Sequence, residues 1–149
     1  MQAVIFIGVQ ASGKSTFFKE RFFDTHVRIN LDMLKTRQRE KVLLDACLQS
    51  KQSFVVDNTN PTVEDRKRYI IPAKEAKFEV IGYYFDSGIN AALQRNQHRA
   101  GKQRIPEVGI RSTFHKLQLP TLVEGFDQLY SVKVDPDGLF RVEEWQDED

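Results

Sequence analysis

The stretch "GVQASGKST", residues 8–16, follows directly on the apolar run Ala3-Val4-Ile5-Phe6-Ile7, and its reading decides the fold. Gly8 and Gly13-Lys14-Ser15 stand at the spacing of a P-loop, a phosphate-binding turn set between a strand and a helix. The chemistry explains the residue types. Glycines let the backbone bring its N–H groups against phosphate oxygens with no Cβ in the way, so Gly8, Gln10, Ala11, Ser12 and Gly13 offer a cradle of donors. The helix that follows adds unpaired N–H groups and a partial positive charge at its first turn. Lys14 then reaches the β- and γ-phosphates of ATP, the Ser15 hydroxyl joins the coordination of Mg²⁺, and Thr16 is placed for the α-phosphate. The competing reading is a glycine turn capping an ordinary helix. A full match in strand–turn–helix context favours the nucleotide.

A chain of 149 residues forms one domain, long enough to bury about 68–70% of its unfolded surface. Eleven phenylalanines supply an aromatic core, and Phe18 and Phe22, four apart, have the spacing of core packing rather than of a base-stacking platform. A net charge of +1 makes no global case for nucleic acid, so any polyanion site must be local. Cys47, the single cysteine, stands among helical apolar residues and reads as a small buried hydrophobe. No apolar run approaches a membrane span and the first strand begins at residue 2. The expectation is therefore no signal peptide, no membrane, and a reduced, cytoplasmic setting.

Beyond the loop, residues 14–23 read as a helix and "VRINL" (27–31) as a short strand. A helix is expected from Asp32 to about Ser50, then the strand "SFVVD" (53–57), then a helix from Pro61 to about Ala76. "FEVIGYYF" (78–85) is a strand, followed by a helix from about Ile89 to Ala100 with Ser87 as its N-cap. Gly101–Ile105 is a polar break before a helix restarts at Pro106. Two weaker strands, 129–134 and 139–143, are joined by Asp135-Pro136-Asp137-Gly138, which has strong turn chemistry. This alternation predicts an α/β P-loop NTPase fold: a parallel sheet with helices on both faces and a small helical lid. The domain spans 1–142, with the lid at about 95–106, and 143–149 is an acidic tail, frayed or solvated.

Functional groups gather at the carboxyl ends of such strands. Asp32 opens a helix as an N-cap does, but its strand is expected near the P-loop strand, facing the γ-phosphate. A kinase needs a base there to take the proton of an attacking hydroxyl. Lys35, one turn later, suits an anionic group on the acceptor or, equally, a solvated surface. Asp57 ends a buried strand, the place for an acidic ligand of Mg²⁺ or of its water shell. Asn58 and Thr59 are polar groups in the same crevice, candidates for positioning the acceptor or Asp32, whereas Asn60-Pro61 reads as N-cap and first helical residue. Arg95 and Arg99, four apart in "RNQHRAGKQR", share a helix face and would clamp phosphates as charge migrates, while Gly101 lets the segment close as a lid. Lys102 and Lys116 fit a solvated basic face, and His98 and His115 lack metal-ligand company. "LQLPTLVEGFDQLY" (117–130) suggests packing and no chemistry.

"GVQASGKSTF", "INLD", "VVDNTNP", "RNQHR" and "PTLVEGF", in this order and spacing, resemble the kinase domain of polynucleotide 5′-hydroxyl kinases, especially the bifunctional kinase/3′-phosphatase group. The likeness runs over about residues 3–135. It implies that Lys14 and Ser15 bind ATP phosphates and Mg²⁺, that Asp32 is the general base for the 5′-hydroxyl, and that Arg99 stabilises the transferring phosphoryl group while Arg95 helps to hold ATP. Lys35 matches a position where phage-type enzymes grip the acceptor's neighbouring phosphate with arginine. The family often has Asn-Arg-Asp where this chain has Asn30-Leu31-Asp32, so one basic acceptor contact is missing. The expected function is ATP-dependent transfer of the γ-phosphate to 5′-hydroxyl ends of DNA or RNA, with a separate phosphatase or ligase as partner. The alternatives are a kinase of a small-molecule hydroxyl and an ATP-binding switch subunit.

Overall fold

The computed structural model describes residues 1–86 and 88–146, apart from the Lys102 side chain. The apolar run before the loop is strand β1 (Gln2–Ile7), in which Ala3 to Ile7 are wholly buried. A strand of unbroken apolar residues needs cover on both faces and neighbours on both edges. β3 (Phe54–Val56) and β4 (Glu79–Phe85) pair with it in parallel, Ile5 facing Val56 on one side and Gly82 on the other. β2 (Val27–Ile29) extends the sheet beyond β3, and β5 (Gln128–Val134) beyond β4, both in parallel. After the Asp-Pro-Asp-Gly turn, β6 (Phe140–Glu144) runs back antiparallel on β5, completing the order β2-β3-β1-β4-β5-β6.

Successive residues of β1 serve opposite faces. Ala3, Ile5 and Ile7 meet Leu44, Cys47, Tyr69, Ile70 and Ala73. These come from two helices, labelled α3 (Arg37–Ser50) and α4 (Val63–Glu75) in chain order. Val4 and Phe6 meet Phe17 and Phe18 of α1 (Lys14–Arg21), with Phe22 and Phe85. The Phe6 ring lies 5.8 Å from that of Phe17 and 5.0 Å from that of Phe85. Helices therefore cover both faces of the sheet, and Phe18, Phe22 and Cys47 are core residues.

Several boundaries differ from the sequence expectations, and side-chain caps explain most of them. The strand expected over 27–31 ends at Ile29 because the Asn30 side chain accepts from Met33 N at 2.9 Å, opening α2 (Leu31–Leu34). Asp32 is thus inside the first turn rather than its cap. The single helix expected from Asp32 to Ser50 breaks at Lys35, and Thr36 caps α3 by accepting from Arg39 N at 3.1 Å. Helix α4 starts at Val63, not Pro61, because Thr62 and Asp65 form a capping box. Asn60, at φ 45°, instead donates its amide to Phe6 O at 2.8 Å. Helix α5 (Gly88–Gln97) stops short of Arg99, and α6 (Glu107–Lys116) has Pro106 as its cap rather than its first residue. Ser87, the expected cap of α5, lies outside the described residues. Strand β6 takes in Glu143 and Glu144, and the Trp145 ring meets Tyr84 edge-on at 5.4 Å, so the acidic end is tied to the sheet this far. The rest of the expected tail, residues 147–149, lies outside the described residues. Among the described residues no helix is long and apolar enough to cross a membrane.

Lys35 has φ 75°, a conformation that side chains disfavour. Lys35→Gly is expected to stabilise the protein by about 1 kcal/mol, since glycine adopts this turn without steric cost. Urea unfolding reads the change; a lower midpoint would show that Lys35 contacts outweigh the backbone strain.

Candidate active site

The P-loop leaves β1 and re-enters the fold as α1. Gly13 caps that helix at φ 99°, and a Cβ there would lie 3.2 Å from the Phe140 ring, so the position needs glycine. Gly8 N donates to Thr59 O at 3.0 Å, tying the loop to the chain leaving β3. Gln10 Nε2 donates to Thr113 Oγ1 at 3.0 Å, linking the loop to α6. The buried Lys14 ammonium folds back on the loop, donating to Gly8 O at 3.0 Å, Val9 O at 2.7 Å and the Ser12 hydroxyl at 3.3 Å.

Burial pulls the Lys14 pKa down to about 8; Asp57 opposes that shift, Arg99 adds to it and Asp32 opposes it again. Phosphate oxygens in place of the loop carbonyls favour the charged form, so nucleotide binding is expected to take up a proton. ATP affinity should then be full below about pH 8 and fall by up to about tenfold per pH unit above it. Calorimetry at alkaline pH in two buffers of different ionisation heat reads the uptake; equal heats would remove Lys14 as the titrating phosphate ligand. In the nucleotide-free protein the unfolded chain holds this proton up to the ordinary value of 10.5, so stability rises with pH between about 8 and 10.5.

A cavity of about 440 Å³ opens over the loop at the carboxyl ends of β1, β2 and β3. It is lined by Gln10, Ala11, Gly13, Lys14, Ser15 and Thr16 of the loop, by Asp32, by Asp57, Asn58 and Thr59, and by Arg99. Gly8 and Ser12 lie behind that lining, as Lys14 partners. The remaining expected site residues are elsewhere. Lys35 is exposed and outside the lining, and Arg95 donates to Ala11 O at 3.3 Å, against the back of the loop. The helix face that Arg95 and Arg99 were expected to share is absent. Past Gln97 the chain tightens into contacts three residues back, His98 N to Arg95 O and Arg99 N to Asn96 O. Arg99 therefore enters the cavity from the turn after α5, donating to Gln103 O at 3.3 Å. The Asn96 amide pins that turn by bonding both backbone groups of Ile105.

Asp57 is 2% exposed, and its Oδ2 accepts from Ser15 Oγ at 3.1 Å and from Arg28 Nε at 2.9 Å. The Ser15 hydroxyl and the Asp57 carboxylate are the hard oxygen donors that Mg²⁺ takes alongside phosphate oxygens and water. Sequence reasoning missed Arg28. Its signal was a charge in the middle of a three-residue strand, and its register against Val55 puts it on the same face as Asp57, two residues on. Asn58 faces the cavity, but its amide is spent on the protein: Oδ1 accepts from Leu31 N at 2.9 Å, and Nδ2 donates to Glu40 and to Tyr69. It holds the first turn of α2, and with it Asp32. Arg37 and Lys116 also line the cavity, although Lys116 was expected on a solvated face.

No protein-family model matches the chain. It is 32% identical over 136 residues to the bifunctional polynucleotide phosphatase/kinase of Schizosaccharomyces pombe, covering 88% of this chain and 33% of that one. It is 35% identical over 138 residues to a protein of Acanthamoeba polyphaga mimivirus that is named for the same pair of activities, again covering 88% and 33%. The chain thus spans 33% of the length of these curated relatives. Among solved structures, Chaetomium thermophilum Kti12 in complex with ADP-AlF3 superposes with a TM-score of 0.67 at 15% identity over 89% of each chain. A gluconokinase from Sinorhizobium meliloti superposes at 0.62 and 16% identity over 89% of this chain and 82% of that one. The fold is that shared by P-loop kinases, and in sequence the chain is similar to the bifunctional polynucleotide phosphatase/kinases.

Proposed function

We propose that this chain transfers the γ-phosphate of ATP to the 5′-hydroxyl end of a DNA or RNA strand. The observation that carries the reading is the convergence, in one cavity, of the P-loop with Lys14, of Asp32 on a separate helix, and of Arg99 from the turn after α5. The relatives named as polynucleotide phosphatase/kinases support the acceptor. The loop N–H groups and Lys14 hold the β- and γ-phosphates. Asp32 accepts the proton of the 5′-hydroxyl as its oxygen attacks phosphorus in line with the leaving oxygen. Arg99 offsets the negative charge that shifts towards the leaving group, and Arg95 supports the loop through Ala11 O. Ser15 and Asp57 would hold Mg²⁺, which when bound neutralises phosphate charge. Thr59 supports the loop through Gly8 N.

The test is transfer of labelled γ-phosphate from ATP, with Mg²⁺, to DNA and RNA oligonucleotides that end in a 5′-hydroxyl. Labelled ends are the expected result, and the ratio of DNA to RNA labelling defines the preferred strand. ATP binding with no labelled end of either kind would overturn the polynucleotide acceptor.

A further inference from the structure

Arg37 opens α3 and lines the cavity, with its side chain 52% exposed. Its Nη1 donates to Glu40 Oε1 at 2.7 Å and to the Tyr69 hydroxyl at 3.1 Å. Glu40 itself is 2% exposed, and its Oε2 accepts from the Tyr69 hydroxyl at 3.0 Å and from Asn58 Nδ2 at 3.1 Å. A fully engaged buried carboxylate thus grips one nitrogen of the guanidinium. Nε and Nη2 make no hydrogen bond among the described residues. These two N–H groups lie along one edge of the planar group, the fork that takes a two-oxygen anion.

Arg66 shows the same arrangement completed. Its Nη1 donates to Asn60 O at 3.0 Å, while Nε and Nη2 grip the two oxygens of Glu124 at 2.7 Å and 3.1 Å. Arg37 carries the same fork on a residue that lines the cavity, with only Nη1 engaged. The groups behind it also reach the base. Asn58, which bonds Glu40 and Tyr69, accepts from Leu31 N with its other atom, one residue before Asp32.

We propose that the Nε/Nη2 edge of Arg37 anchors the first internal phosphodiester of the acceptor strand. Glu40, Tyr69 and Asn58 hold this anchor in fixed relation to the turn carrying Asp32, so gripping the phosphate registers the terminal 5′-hydroxyl against the base. The proposal rests on the polynucleotide reading above, and it moves the acceptor's phosphate from Lys35, which is outside the cavity, to Arg37.

The experiment is steady-state kinetics on wild type, Arg37→Ala and Arg37→Lys. The acceptors are oligonucleotides whose first internal linkage is either a phosphodiester or a neutral methylphosphonate. Arg37→Ala is expected to raise the acceptor KM by about tenfold or more, the loss of a charge-assisted fork, with the KM for ATP within about twofold. Arg37→Lys recovers only part, because lysine keeps the charge and loses the fork. The methylphosphonate raises the wild-type KM by a similar factor and adds little in Arg37→Ala. An unchanged acceptor KM, or effects of variant and linkage that multiply, overturns the anchor and leaves the kinase reading standing. If Arg37→Ala also loses ATP binding by unseating Glu40, the same comparison on Arg37→Lys decides. Failure of wild type to label any 5′-hydroxyl end overturns the kinase reading, and the phosphodiester anchor with it.

Discussion

Replacing Asp32 with alanine is expected to slow phosphate transfer by about a hundred- to ten-thousand-fold while leaving ATP affinity within about threefold. The carboxylate lines the cavity with Lys14 and Arg99, is exposed, and makes no hydrogen bond of its own among the described residues. Its oxygens are therefore open for the proton transfer proposed above. Its carrier turn is held twice, by the Asn30 cap on Met33 N and by Asn58 on Leu31 N, so its position is set by the fold rather than by the ligand. On the proposed mechanism the base acts only as the hydroxyl attacks, whereas the loop and Lys14, which would hold ATP, are left in place by the substitution. Single-turnover transfer together with calorimetric ATP binding separates the two steps. A wild-type rate in the variant would remove Asp32 from the mechanism.

Glu124→Ala is expected to destabilise the fold by about 3–5 kcal/mol, a large part of the stability of a domain this size. Arg66 is 0% exposed and Glu124 4%, and their paired contact joins α4 to the segment that crosses back to β5. Removing the carboxylate strands a buried guanidinium, and it also strips the acceptor from Thr121 N, bonded at 2.9 Å. The double substitution Arg66→Met/Glu124→Leu should recover part of the loss, because it removes both charges together but leaves Thr121 N and Asn60 O without these partners. Urea unfolding of the three variants reads this. A loss below about 1 kcal/mol for Glu124→Ala would mean the pair behaves as a solvated surface contact. The pair matters to the site as well. Arg66 holds Asn60 O, and the Asn60 amide holds Phe6 O, near the end of the strand that launches the P-loop.

The amino-acid sequence by itself determined the parts of this protein whose physics is local. The P-loop needs glycine at a left-handed position and a lysine and serine at set distances from it, all within a few residues. The strand–helix alternation, the Asp-Pro-Asp-Gly turn and the core places of Phe18, Phe22 and Cys47 follow from backbone preference and hydrophobic period over one or two turns. The gathering of Asp32, Asp57, Asn58 and Thr59 in one cavity was also legible, because strands of a parallel sheet present their carboxyl ends together. Only the tertiary structure decided which charges meet. A lone arginine has no local signature: Arg28 is defined by Asp57, 29 residues away, and Arg66 by Glu124, 58 residues away in a segment that read as inert packing. The spacing of Arg95 and Arg99 predicts a shared face only while a helix continues, and where α5 ends depends on Asn96 pairing with Ile105 across the turn. Arg37 faces the cavity because the chain breaks at Lys35 and restarts at Thr36, and its open fork follows from a buried Glu40 that Tyr69 and Asn58 complete from other elements. Periodicity places a side chain on a face. The charge it answers to comes from elsewhere in the fold.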